Sequence, residues 1–521
     1  MYNEREIDFI TIYFIFGINF YFLSRWMLLS CINISRFKYP RISPNMRRTL
    51  LSLAVLGCTF STLPAPAQRR QTALPGPPTV DRRVELLSIV ARMADFKEYN
   101  DSSNRAYVKA IHAHFDPYRG HPVIGLAKMI RDSFGVGYDA VMAMAVHLSQ
   151  PPNLQPLLPF TDSIPNPRWG SMAKRFADEL RAFYAEAHCA EFFGQMQPMY
   201  DSALGRYNAI FDRLDVNWYQ RFYGRAPKTT FHVVLGMGNG GGNYGPRVVF
   251  PGAREDAYAI EGVDSVDASG NPFFEEDWFL PTLVHEFNHS FVNYLSDLHR
   301  QALAGAGEVL FDSTKTIMAR QAYTNWQTME NEALVRAAVV RYLMDHTDGG
   351  QPPMAELGVQ VNRRGFFWLR DLVALLGRYE TERTTFPTLE SFMPEIVRFY
   401  DTLAPDIASY QRRLSDSSIR VVRMAPFQSG DTNVTPGIRE ISFTFDQPFF
   451  EGHFQFGPSR KGAPQYEFVG VSYSPDHKTI VLKVNLKPNT LYEMYTGGSF
   501  YISQKGFPAK RFDFTFRTGA Q

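Results

Sequence analysis

Along the first four-fifths of the chain the apolar residues recur mostly at three- and four-residue steps. Met172, Phe176, Leu180, Phe183 and Ala187 make one such stripe, as an amphipathic helix requires. Phe366 to Tyr379 reads as a further helix. Thr229 to Leu235 (TTFHVVL) is instead β-branched and aromatic and predicts a strand, followed by a glycine-rich loop and a second strand-like run from Arg247 to Phe250. Between Ser415 and Ile419 the period changes to two. Ile441 to Phe445, Thr479 to Val484 and Arg511 to Phe516 alternate apolar and polar positions, with turn residues such as Pro475-Asp476 and Lys487-Pro-Asn489 between them. The pattern predicts an α+β protein: a mainly helical domain over residues 83–415 with a small sheet, then an all-β sandwich over 419–521.

The N-terminus has its own pattern. Phe9 to Leu23 is almost continuously apolar but short for a membrane span. A second start-like signal follows: Met46, the basic pair Arg47-Arg48, an apolar run from Leu50 to Phe60, and the small-x-small triplet Ala65-Pro66-Ala67. Together these read as a signal peptide over 46–67, cleaved before Gln68, and as export to the periplasm or the medium. Residues 1–45 are then a doubtful extension. The alternatives are a membrane anchor over residues 9–34 and a lipid tether on Cys58, because Val55-Leu56-Gly57-Cys58 resembles a lipobox. Residues 68–82, rich in Pro, Gly, Arg and Thr, read as a linker.

Composition adds limits. The chain of 521 residues carries 54 Lys+Arg against 52 Asp+Glu, so nothing calls for a nucleic-acid surface. The first 67 residues hold seven basic and three acidic side chains, which leaves 47 against 49 and a net charge of −2 in the expected mature form. Three cysteines do not make a disulfide framework, and two of them precede Gln68. The third, Cys189, lies in a helical stretch and reads as a small apolar residue. Nothing here fixes an oligomeric state.

The chemistry is concentrated in Leu280-Pro-Thr-Leu-Val-His285-Glu286-Phe-Asn-His289. Residues four apart share a helix face, so His285 and His289 can offer imidazoles to one metal ion. Glu286, about 100° round the helix, can hold a metal-bound water. Pro281 suits the first helical turn, and Leu283, Val284, Phe287, Phe291 and Leu295 supply packing. Such a site needs a third protein ligand. Val292 and Leu295 stand where a metzincin has glycine and histidine, which excludes that branch. Glu332, Glu330, Glu308 and Asp312 are the candidate carboxylates downstream, the last two in an intervening loop. Glu330 and Glu332, about 200° apart on one helix, cannot both face the metal.

At Asn331-Glu332-Ala333 the sequence resembles the gluzincin metallopeptidases, whose second zinc helix carries Asn-Glu-Ala. The resemblance implies zinc on His285, His289 and Glu332, Glu286 as general base, and a peptide or protein substrate. The pattern's aspartate four residues on is replaced by Arg336, which at i+4 can hold the Glu332 carboxylate instead. Tyr323 is a candidate hydrogen-bond donor to a tetrahedral oxyanion. Residues 95–400, with His-Glu-Phe-x-His and Glu-x-x-x-Arg, resemble a secreted bacterial family known only as a domain of unknown function.

The C-terminal segment resembles the bacterial Ig-like domain of the SbsA type through Ala425-Pro426, Phe443-Thr-Phe-Asp446, Tyr473-Ser-Pro-Asp476, Leu486-Lys-Pro-Asn-Thr-Leu-Tyr492 and Phe514-Thr-Phe-Arg-Thr-Gly519. That implies a spacer or adhesion module. The leading expectation is therefore an exported zinc metallohydrolase, most specifically a peptidase. The other is a catalytically degenerate binding or adhesion protein acting through its Ig-like module. Two further patterns carry less. Gly236-Met-Gly238-Asn-Gly240-Gly241 formally fits a dinucleotide loop but leads into a strand, which rejects that reading; beside the zinc helix, Thr229 to Phe250 offers a sheet edge for an extended peptide instead. His112 and His114, two apart, do not converge on a helix.

Overall fold

In the computed structural model, residues 75–520 are described, except 102, 226–228, 253, 264, 269, 322 and 347–351. The expected signal peptide, the extension and Cys58 lie outside the described residues. Among those described, no helix is long and apolar enough to cross a membrane.

The chain is α+β. Helices α1 (Arg82–Met93), α2 (Arg105–Phe115), α3 (Pro122–Phe134), α4 (Asp139–Val146), α5 (Met172–Glu186), α6 (Cys189–Phe211) and α7 (Val216–Tyr223) come first. The expected stripe is the buried face of α5: Phe176, Leu180 and Phe183 are each at most 1% exposed. Cys189 is buried at the start of α6, and burial pushes its thiol up to about 12, so it packs as an inert residue. His112 and His114 on α2 bind Asp116 Oδ1 (3.1 Å) and Ala187 O (2.9 Å) respectively and share no site.

A three-stranded sheet follows, with β1 (Thr229–Gly236), β2 (Arg247–Val249) and β3 (Glu255–Gly262) in the order β1-β3-β2. β1 and β3 are parallel, with Leu235 opposite Glu261, and β2 runs antiparallel to β3. The stretch expected as a linker takes part in this sheet. Thr79 N donates to Val233 O (3.0 Å) and Thr79 O accepts from Leu235 N (2.8 Å). The flank of β1 is thus occupied, and β2 is the outer strand on the other side, with Val249 60% exposed.

The glycine-rich loop between β1 and β2 is tied to α1. Met237 N donates to Glu85 Oε1 (2.7 Å), and Ser88 Oγ lies 2.5 Å from Asn239 Oδ1. Glu85 is fully buried, also accepts from Tyr107 Oη (2.6 Å), and is pushed by burial up to about 7. A carboxyl raised in the folded state binds its proton there before it does in the unfolded chain. Its contribution is fully present below the unfolded value of about 4.5 and is lost as pH rises through about 7. Equilibrium unfolding of the Glu85→Gln variant should therefore show a flatter dependence on pH between those values than the parent. An unchanged slope would contradict the assignment.

Next come α8 (Glu276–Leu298), α9 (Arg300–Ala319), α10 (Trp326–Asp345), α11 (Pro353–Asn362), α12 (Leu369–Thr381), α13 (Leu389–Leu403) and α14 (Ile407–Asp416). α8 starts five residues before Pro281, so that proline sits inside the helix rather than in its first turn. Glu275 precedes the helix without a side-chain cap; the apolar residues Phe279, Leu280, Leu283 and Val284, all buried, hold the early turns instead. α10 starts at the Asn325 cap, whose side chain accepts from Thr328 N (2.9 Å). α8 and α10 are sheathed on nearly every side, as the burial of Phe287, Phe291, Val292, Met329, Ala333 and Val335 shows. The segment with Glu308 and Asp312, expected as a loop, is α9, because Leu303, Ala306, Leu310, Thr314 and Met318 form its buried stripe and turn both acids to solvent.

The last hundred residues form two antiparallel sheets over one apolar core. β4 (Val421–Ala425), β5 (Glu440–Phe445), β7 (Glu467–Tyr473) and β8 (Thr479–Asn485) pair in the order β4-β5-β8-β7, and β6 (Phe456–Pro458), β9 (Leu491–Gly498) and β10 (Ala509–Arg517) in the order β10-β9-β6. Inward positions are Ile441, Phe443, Ile480, Leu482, Met494, Phe514 and Phe516, as the two-residue period requires. The connection between β9 and β10 contacts α11 closely. A Cβ on Gly358 would lie 2.2 Å from Ile502 Cγ2, and Asn362 Nδ2 donates to Gly506 O (3.3 Å).

Candidate metal centre

α8 presents His285 and His289 one turn apart, their ring centroids 4.9 Å apart and their planes at 80°. The two Nε2 atoms are 3.2 Å apart. α10 packs against this face: Asn288 Nδ2 of α8 donates to Val335 O (3.4 Å), and Tyr223 Oη of α7 donates to Asn288 Oδ1 (2.9 Å). That packing brings Glu332 to the imidazoles, Oε2 at 3.5 Å from His285 Nε2 and Oε1 at 3.5 Å from His289 Nε2. Among the described residues these three form the group whose ligand-type atoms all lie within 4.8 Å of one another.

The spacing can be compared with what a small cation asks for. Tetrahedral bonds of 2.0–2.1 Å place neighbouring ligand atoms about 3.3 Å apart. Separations of 3.2, 3.5 and 3.5 Å suit that geometry. His289 Nδ1 faces Asn293 Oδ1 at 3.0 Å, which favours the proton on Nδ1 and leaves Nε2 as the electron-pair donor. Burial lowers both histidines below their ordinary value, with the Arg336 charge adding to the effect on His285, so both are neutral near pH 7.

Glu332 is held from behind. Arg336 Nη2 donates to Glu332 Oε2 (2.8 Å) and to Tyr323 Oη (2.7 Å), while Nη1 donates to Gln360 Oε1 of α11 (2.8 Å). Burial opposes the guanidinium charge, but Tyr323 and Glu332 outweigh it and keep Arg336 a cation. The expectation that Arg336 braces Glu332 across one helical turn matches these contacts. Glu330 is turned away toward Tyr400 of α13 and is pushed by burial up to about 8. Glu308 and Asp312, exposed on α9, take no part.

Glu286 is 6% exposed, and its Oε1 has no hydrogen-bond partner among the described residues. Burial holds its carboxyl well above the usual range, and the neighbouring carboxylates of Glu261 and Glu332 push the same way. Sequence reasoning missed three participants: Asn293, Gln360 and Glu261. Asn293 carries a readable signal, its place four residues after His289. Glu261 carries a weaker one, a lone charge closing the run Ala257-Tyr-Ala-Ile. Gln360 has none, since only the tertiary fold brings α11 to Arg336.

Residues 79–399, well over half of the chain, match the family described as "Domain of unknown function (DUF4932)", and the chain belongs to that family. No curated protein is similar enough to match it. Among solved structures it is similar to "Structure of surface layer protein SbsC, domains 1-6", at 12% identity over 46% of this chain and 33% of that one. It is also similar to "Crystal structure of the S-layer protein rSbsC(31-844)", at 11% identity over 66% and 41%. The TM-score is 0.15 in both cases, and the chain spans less than half the length of either protein. A likeness of that size defines neither fold nor function.

Proposed function

We propose that the chain is an exported zinc-dependent metallohydrolase, acting as a peptidase, built as a zincin-like domain followed by an Ig-like module. The observation that carries this reading is the convergence of His285 Nε2, His289 Nε2 and the Glu332 carboxylate at separations suited to one tetrahedral ion. Zinc in that position supplies Lewis acidity toward water and a scissile carbonyl. His285 and His289 enter as neutral donors, and Arg336 fixes the rotamer of Glu332 through its two-armed contact with Glu332 and Gln360.

Glu286 takes the proton of the attacking water and passes it to the leaving amine. Its raised affinity for protons suits the second half of that transfer, and a nearby dication favours the ionised form needed for the first. Tyr323, whose oxygen already accepts from Arg336, keeps its own O–H for a developing oxyanion. The strand β2, outermost beside β3, is the edge along which an extended peptide would lie. Chelator-sensitive cleavage of a peptide library by the purified chain tests the reading. Full metal loading without turnover of any peptide would overturn it in favour of a binding protein on the same fold.

A further inference from the structure

Helix α11 lies between Arg336 and the C-terminal sandwich, and its two faces are used differently. Glu356 and Gln360, four residues apart, share one face. Gln360 Oε1 accepts from Arg336 Nη1 (2.8 Å), and Gln360 Nε2 donates to Glu356 Oε1 (2.5 Å), which fixes the amide toward the guanidinium. Gly358 and Asn362 are each two residues from Gln360, about 200° round the helix. They meet the connection between β9 and β10, residues 499–508. Asn362 Nδ2 donates to Gly506 O (3.3 Å), and a Cβ on Gly358 would lie 2.2 Å from Ile502 Cγ2. Glycine in the middle of a helix is unfavourable, and here it answers a close approach. Just beyond, Arg363 Nη2 donates to Phe500 O (3.0 Å) and Arg370 Nη2 to Lys505 O (2.7 Å), which pins the same connection at two more points.

The connection is itself fixed in the sandwich. Tyr501 is buried in the sandwich core with its Oη 2.9 Å from Thr496 Oγ1 of β9, and Phe450 N donates to Ile502 O (2.9 Å). A run of packed and hydrogen-bonded groups thus leads from the sandwich through Ile502, Gly358, Gln360 and Arg336 to Glu332. Close-packed interfaces of this kind pass a displacement on instead of absorbing it. We propose that the β9–β10 connection is an intramolecular brace of the metal centre, holding α11 where Gln360 keeps Arg336 on Glu332. The sandwich is then a working part of the site and not a spacer, and Gly358, Gln360 and Ile502 are positioning residues. The brace stands on these contacts; its effect on zinc rests on the metallohydrolase reading.

The test is a set of double-mutant cycles in the full chain, with zinc affinity read by competition with a chromophoric chelator. Gly358→Ala forces α11 and Ile502 apart and should weaken zinc binding at least about fivefold. Adding Ile502→Ala removes Cγ2 and leaves the Ile502 Cβ position 3.4 Å from the new methyl. Affinity should then return to within about twofold of the parent. Gln360→Leu should cost about tenfold by itself, and in that background Gly358→Ala should cost no more than about twofold further, because the link is already cut. A merely structural lesion would bring its full loss in both backgrounds. Amide exchange of residues 330–337 of α10, read against α5 in the metal-free protein, makes the same comparison without zinc. Gly358→Ala should speed it in the parent and not in Gln360→Leu. If Gly358→Ala does not fold, Asn362→Ala loosens the same face and takes its place. Parental zinc affinity in Gly358→Ala, no recovery with Ile502→Ala, or an equal loss in the Gln360→Leu background would overturn the brace and leave the zinc site standing. A parent that takes up no zinc sinks the metallohydrolase reading, and the exchange comparison then decides the brace alone.

Discussion

Replacing Glu286 by Gln is expected to leave the metal content of the protein unchanged and to lower peptide hydrolysis by about 10²- to 10⁴-fold, the usual contribution of a positioned proton carrier. The substitution keeps the volume of the side chain and removes its basicity. It also removes a buried carboxylate that lies beside Glu261 and Glu332 and lacks a partner at Oε1, so stability in the metal-free state should be equal or higher. Hydrolysis at the parental rate would take Glu286 out of the chemistry.

Arg336→Met should have the largest structural effect. Arg336 and Glu332 are 5% and 1% exposed, and the guanidinium bridges Glu332, Tyr323 and Gln360. Removing one member of a buried charged pair leaves the other uncompensated, at a cost of roughly 3–5 kcal/mol. Loss of the group that orients a ligand lowers metal affinity by about 10- to 100-fold. Denaturant unfolding of the metal-free protein reads the first quantity and a zinc titration the second. Arg336→Lys should recover only part of both, since one ammonium cannot reproduce the planar fork. Parental stability together with parental affinity would show that Glu332 is held by something else.

Elements whose signal is local were legible in the sequence. The alternation of Ile441 to Phe445 and Thr479 to Val484 became β5 and β8, because a two-residue period suits one buried face whatever the partner strand. The pair His285 and His289 converged because i,i+4 geometry is a property of any helix. The start of α8 was not legible. Pro281 has the signature of a first helical turn, yet burial of Phe279 and Leu280 carries the helix past it toward the N-terminus.

Residues that act through distant partners were the hardest to find. Arg336 could be placed on Glu332 from spacing alone, but its bond to Gln360 depends on how α11 packs, and α11 in turn abuts the connection between β9 and β10 at Gly358. Glu308 and Asp312 looked available as ligands because a loop was expected where α9 forms. Gly262, the neighbour of Glu261, packs against the Gly240 and Gly242 carbonyls of the loop over the end of β3, a contact that no pattern along the strand announces.

The proposed chemistry stands or falls with the binding of one zinc ion by His285, His289 and Glu332. Elemental analysis of the purified chain after zinc loading and removal of excess metal tests it most directly, alongside His285→Ala and Glu332→Ala. The expected result is close to one zinc per chain in the parent and in Glu286→Gln, and none retained by either alanine variant. A folded parent that never acquires stoichiometric zinc, or alanine variants that keep it, would contradict the claim.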